Sequence, residues 1–148
     1  MISLLLEKLD KTLGESAADG SDLAMEAVRT AVEMLTADEK LYRQLIVRVP
    51  RMLFEGTHLG RDLAQIQINA IAGAQARGEI SANINPERLG KAIYTNYLGT
   101  LYEWACGDSC DAEFLEAAEI AVLAPLVACA TESFRQKLSN QLYDRLFR

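Results

Sequence analysis

Apolar residues recur at helical spacing along almost the whole chain, and no run alternates convincingly enough to make a strand. Residues 2–13 carry Ile2, Leu5, Leu6, Leu9 and Leu13 on one face, with Gly14 as a stop. ESAADGSD, residues 15–22, is small and polar and reads as a loop. A second helix is expected from about Asp22 to Leu35, facing inward through Ala24, Val28, Ala31, Val32 and Leu35. Thr36-Ala37-Asp38-Glu39 has the spacing of a capping box and opens a third helix, striped by Leu41, Tyr42, Leu45, Ile46 and Val49. Pro50 should end or kink it near Arg48. A fourth helix is predicted from about Thr57 to Arg77, with Gly78 placed to close it in a left-handed conformation.

The connector Glu79–Ile84 leads to Asn85–Gly107, where Asn85 is an N-cap and Pro86 fits the first helical position. This segment has two apolar stripes, Leu89/Ile93/Tyr97/Trp104 and Tyr94/Leu98/Leu101/Ala105, which predicts a helix buried on most sides. Asp108 and Asp111 are N-cap candidates for an alanine-rich helix over residues 112–130, in which Pro125 should produce a kink. The helical pattern continues through residues 131–147. The expected fold is all-α, six or seven helices in a single domain over residues 1–148.

A chain of 148 residues buries roughly 70% of its unfolded surface, enough for a sizeable core. The net charge of −6 argues against a nucleic-acid-binding surface, which needs clustered Lys and Arg. No apolar run reaches the roughly 20 residues of a membrane span, and the first residues lack the cationic region of a signal peptide. Cys106, Cys110 and Cys129 make no disulfide framework and suit a reducing cytoplasm.

No catalytic constellation emerges. His58 is the sole histidine, two cysteines four residues apart do not close a zinc site, and the scattered glycines form no phosphate loop. Neither a metal nor a cofactor is expected, and an enzymatic role is not. His58, Asp62, Gln65 and Asn69 form a polar row along the fourth helix, either a solvated flank or part of a cavity of mixed polarity. The aromatic residues invite the same two readings. Tyr42, Ile46, Phe54, Tyr94 and Tyr97 join that row as candidate lining of a ligand site. Small residues on the last long helices let helix axes approach closely. Leu98, Leu101, Trp104, Ala118, Ala121, Val122 and Pro125 are therefore candidates for a homodimer interface in which two helices per protomer build a four-helix bundle.

ARGEI (residues 76–80) followed by NPERLGKAIYTNYLGTLYEWACG resembles the C-terminal regulatory domain of TetR-family transcriptional repressors. The matching positions are Ala76, Gly78, Glu79, Ile80, Asn85, Pro86, Gly99 and Trp104, within a helix order similar over essentially the whole chain. The resemblance implies a homodimer that binds a small hydrophobic or mixed-polarity effector and transmits its presence through residues 2–13 to a DNA reader. The family's helix-turn-helix would precede Leu4–Leu13, and the sequence has no such unit, so no operator binding is expected of this chain alone. Two other classes compete: a stand-alone helical interaction or scaffold module, and a small helical enzyme built around His58 or a tyrosine.

Overall fold

The computed structural model describes residues 2–48 and 58–147, with side chains for residues 7–48 and 64–147. Among the described residues the protein is all-helical: α1 (Ile2–Gly14), α2 (Gly20–Thr36), α3 (Glu39–Arg48), α4 (His58–Ala76), α5 (Pro86–Cys106), α6 (Asp111–Cys129) and α7 (Glu132–Leu146). α5 packs against α3, α4 and α6, while α2 closes the core from the other side against α4 and α6. α1 rests on α2 and α4, and α7 on α6.

Helix ends follow local chemistry. Asn85 caps α5 by accepting the Arg88 amide at 3.1 Å. α4 and α5 both close in Schellman turns on left-handed glycines. Gly78 (φ 74°) donates to Gln75 and Glu79 to Ala74; Gly107 (φ 89°) donates to Trp104 and Asp108 to Glu103. Three caps differ from expectation. Asp19 rather than Asp22 starts α2, its carboxylate accepting the Gly20 amide at 2.7 Å. Thr36 forms no capping box, because its hydroxyl donates back to the Val32 carbonyl at 2.9 Å as the last residue of α2. α6 begins after Cys110, whose amide donates to the Glu113 carboxylate at 2.8 Å, so neither Asp108 nor Asp111 is its cap.

The predicted helix through residues 131–147 forms as α7, but a break at Ala130 separates it from α6. Ala130 is extended (φ −66°, ψ 147°) and pairs with Ile80 in an isolated antiparallel bridge. The Ser81 amide donates to the Cys129 carbonyl and the Thr131 amide to the Glu79 carbonyl, replacing the helical bonds those groups would otherwise make. Pro125 lies inside the continuous α6. Pro50 falls outside the described residues.

The ARGEI phrase has a structural role. Beyond the Gly78 turn, the Glu79 carboxylate is buried, accepts the Ser21 amide at 3.0 Å and pairs with Arg77 at 3.0 Å. It thereby places a negative charge on the N-terminus of α2, where the helix dipole favours one. Gly20 belongs there for two reasons: its φ of 60°, and a Cβ that would lie 2.8 Å from that carboxylate.

α4 and α5 meet at Gly90, where an added Cβ would sit 2.8 Å from backbone atoms of Ile68. Backbone does not yield as a side-chain tip does. Gly90→Ala should therefore push the helices apart and cost about 1–3 kcal/mol, read as a lower urea midpoint. A midpoint equal to wild type would show that the two helices separate freely.

Candidate functional site

Both apolar stripes of α5 face into the protomer: Leu89, Ile93, Tyr97 and Trp104, and equally Tyr94, Leu98, Leu101 and Ala105, are buried. The expectation that Leu98, Leu101 and Trp104 meet a symmetry mate is therefore corrected. Leu98, Leu101 and Trp104 on α5, with Ala118 and Val122 on α6, have no surface left for a second chain. Ala121 is also buried, and Pro125, half-buried, borders the outer side of α6.

What surrounds Trp104 explains the reversal. Its ring is fully buried and stacks on Phe114 with centroids 4.9 Å apart, and Phe114 stacks in turn on Tyr97 at 6.3 Å. The indole N–H donates to the Asp111 carboxylate at 2.7 Å. Arg43 of α3 lies over the indole at 4.6 Å from the ring centroid. Its guanidinium also donates to the carbonyls of Trp104 and Ser109. The guanidinium, its side chain 23% exposed, is a clasp between α3 and the α5–α6 turn.

A cavity lies where α2, α4 and α5 converge, lined by Ala27, Val28 and Ala31, by Ile66 and Gln67, and by Tyr94 and Tyr97. Its empty volume, mouth included, is about 290 Å³, and its narrow interior has room for about one water molecule. Small side chains on α2 leave the space, and the tyrosines wall it opposite. Among the described residues the lining carries no charge.

Two of the lining residues leave a buried polar atom unpaired among the described residues: Gln67 Oε1 and the Tyr94 hydroxyl. Gln67 is 4% exposed and donates Nε2–H to the Ala24 carbonyl at 3.2 Å, which fixes the amide's orientation because only the nitrogen can bond a carbonyl. Oε1 is left over. An unpaired buried polar group costs about 1–3 kcal/mol, so this pair is an appreciable burden on a domain of ordinary stability. Burial pushes the Tyr94 phenol up to about 12. Burial, and secondarily the nearness of Tyr94, raises Tyr97 further. Both rings are neutral at physiological pH.

Of the candidate ligand residues, then, Tyr94 and Tyr97 line the cavity. Tyr42 (half-buried) and Ile46 (buried) sit on α3 and do not. Gln65 and Asn69 are exposed and hydrogen-bond each other at 2.9 Å, the solvated-flank alternative for that half of the row. Phe54, and the side chains of His58 and Asp62, lie outside the described residues. Gln67 was missed. Its sequence signal is a glutamine flanked by Ile66 and Ile68, on the apolar side of the helix where a polar residue needs a reason.

Among the described residues no group of His, Cys, Asp or Glu is arranged to hold a metal, and no helix is long and apolar enough to cross a membrane. The three cysteines are free. No protein-family model, curated protein or solved structure matches the chain.

Proposed function

We propose that this chain is a ligand-sensing and dimerisation domain of a TetR-like transcriptional regulator, the role its sequence resemblance implies. The carrying observation is the apolar cavity in which Gln67 and Tyr94 each leave a buried polar atom without a partner. Its lining, apolar with two polar atoms, has the composition of a small-molecule pocket, and a ligand larger than one water must part the walls to enter. α1 rests on α2 and α4, two of the three helices that wall the cavity. A ligand that wedges these walls changes the seat of α1, and α1 is the helix that would lead to a DNA reader. The shift extends only as far as the ligand's preference for one arrangement over the other. The reading gives this chain alone no operator contact, in keeping with its net charge of −6.

Self-association uses the outer sides of the same two helices, α5 and α6, rather than the buried Leu98, Leu101, Trp104, Ala118, Ala121 and Val122. α6 has no charged residue after Glu119, and its outer side carries Ile120, Ala124, Val127 and Ala128, partly or fully exposed. A helix apolar all round belongs in an interior. On α5, Ala92 and Gly99 are exposed, and a Cβ at Gly99 would meet nothing within 4 Å. A mid-helix glycine costs about 0.5–1 kcal/mol relative to alanine, without any packing gain inside this chain. A second copy laid across α5 and α6 covers both features. Glu87, Lys91 and Glu103 supply a polar rim.

Sedimentation at micromolar concentration should give a dimer, and a monomer would overturn the dimerisation reading. In thermal unfolding, a panel of neutral and charged small molecules should include one that raises Tm. A ligand at a hundred times its Kd stabilises by about 2.7 kcal/mol, roughly 5–10 °C for a domain of this size. A panel without any such ligand counts against sensing.

A further inference from the structure

We infer that a cleft between α2 and α7 binds a basic amino acid, its carboxylate on Arg29 and Arg145 and its two ammonium groups on Glu26 and Asp22. The site is separate from the α2–α4–α5 cavity and stands whether or not that cavity senses a ligand. Asp22, Met25, Glu26 and Arg29 of α2 form one wall, and Gln141 and Arg145 of α7 the other, around about 380 Å³. That space is within the usual range of small-molecule sites. Every side chain of α2 and α7 is described, so the charges these two helices bring are complete.

The charges are ordered along the cleft. Asp22, Glu26 and Arg29 stand at i, i+4 and i+7 on one face of α2, spanning roughly 10 Å of helix axis. Glu119 of α6 bonds Arg29 through one oxygen and Arg145 through the other, so the two guanidiniums meet at a single carboxylate. Two cations share one anion there, which leaves one positive charge over. Arg29 uses Nε for Glu119; Arg145 uses Nε for Glu119 and Nη1 for the Gln141 carbonyl. A guanidinium has five N–H donors, so Arg29 Nη1 and Nη2 and Arg145 Nη2 retain donors for a ligand carboxylate. Toward the start of α2 the sign reverses. Among the described residues no cation pairs with Asp22 or Glu26, and Glu26 accepts only the neutral Ser16 hydroxyl, at 2.8 Å. Like charges four residues apart repel on a helix, and a bound cation relieves that repulsion.

The order of charges selects the ligand. Glu26 lies one turn from Arg29, as an α-ammonium lies beside its carboxylate, and Asp22 stands a turn further on, where a terminal ammonium would reach. Met25, 4% exposed, gives the methylenes between them an apolar floor. Lysine and ornithine have this sequence of groups. A diamine lacks the carboxylate, a neutral amino acid lacks the second ammonium, and glutamate sets a carboxylate against Asp22.

Exposed ion pairs are individually weak, so the affinity is millimolar and a titration must reach that range. The test is a calorimetric titration of the full chain with lysine, leucine, cadaverine and glutamate. Lysine should bind about fivefold or more tighter than leucine or cadaverine, the loss expected for one ion pair, and glutamate should not bind. Asp22→Asn, at an exposed position, should weaken lysine several-fold and leave leucine unchanged. Arg29→Gln leaves Glu119 paired with Arg145, and it should weaken lysine while leaving cadaverine unchanged. Circular dichroism checks the fold of each variant; should Arg29→Gln unfold, Asp22→Asn and the ligand series decide alone. Cadaverine binding as tightly as lysine would reduce the site to an acidic patch and overturn the inference. So would a lysine affinity that survives both substitutions, or no heat with lysine at tens of millimolar.

Discussion

Trp104→Ala is expected to lower the unfolding free energy by about 3–5 kcal/mol, the usual cost of emptying a fully buried aromatic site. Several losses coincide. Phe114 loses its stacking partner at 4.9 Å, Asp111 loses the indole N–H, and Arg43 loses the ring beneath it. Against a typical stability of about 5–15 kcal/mol, the variant should unfold at a much lower urea concentration. Trp104→Phe separates the causes, because it keeps most of the apolar volume and deletes the indole N–H, and it should cost clearly less. An alanine variant as stable as wild type would mean that α3, α5 and α6 do not depend on this contact. Since Trp104 is the only tryptophan, fluorescence reports directly on this part of the wild-type core, and circular dichroism serves for the variants.

Glu119→Ala should cost about 3 kcal/mol by a different mechanism. Glu119 is 8% exposed and its carboxylate meets Arg29 and Arg145, each at 2.5 Å. The two pairs are unequal. The Arg29 side chain is 43% exposed and its pair is screened, whereas Arg145 is 11% exposed. Most of the loss therefore comes from leaving the Arg145 guanidinium buried without its carboxylate. This contact ties α7 to α6, with Arg29 of α2 joining them.

The same group gives the protein a pH dependence of definite sign. Burial alone would raise the Glu119 carboxyl, but the hydrogen bonds and charges of Arg145 and Arg29 prevail and hold it below the ordinary value of 4.5. Its contribution is complete above pH 4.5 and is lost as pH falls through the lowered folded value. Stability of the wild type should drop with acid in that window, and Glu119→Gln should flatten the slope there. Tyr94 acts at the other end. Its folded value, about 12 against 10.0 for an exposed phenol, makes stability decline as pH rises from 10.0 toward 12, a decline that Tyr94→Phe should reduce.

The helices of this protein were legible because their signals are local. Gly78 stands where a left-handed residue must close a helix, Asn85-Pro86 opens one, and apolar spacing marks the inward faces of α2 and α5. The Tyr94–Tyr97 pair was legible as candidate lining for the same reason, since an inward aromatic shows in the periodicity. What only the tertiary structure decided is which inward face meets which neighbour. Trp104 has the pattern of any buried aromatic, and nothing near it in sequence says that Arg43 of α3 and Phe114 of α6 enclose it and leave no face for a second chain. Glu119 looks like one more carboxylate on a helix until Arg29 and Arg145 arrive, 90 and 26 residues away. The break at Ala130 depends on Ile80 being alongside, and the significance of Gln67 on Ala24 taking its only donor group. Helix formation is governed by neighbours within about one turn. Pairing of buried polar groups depends on residues that only the packed fold brings together.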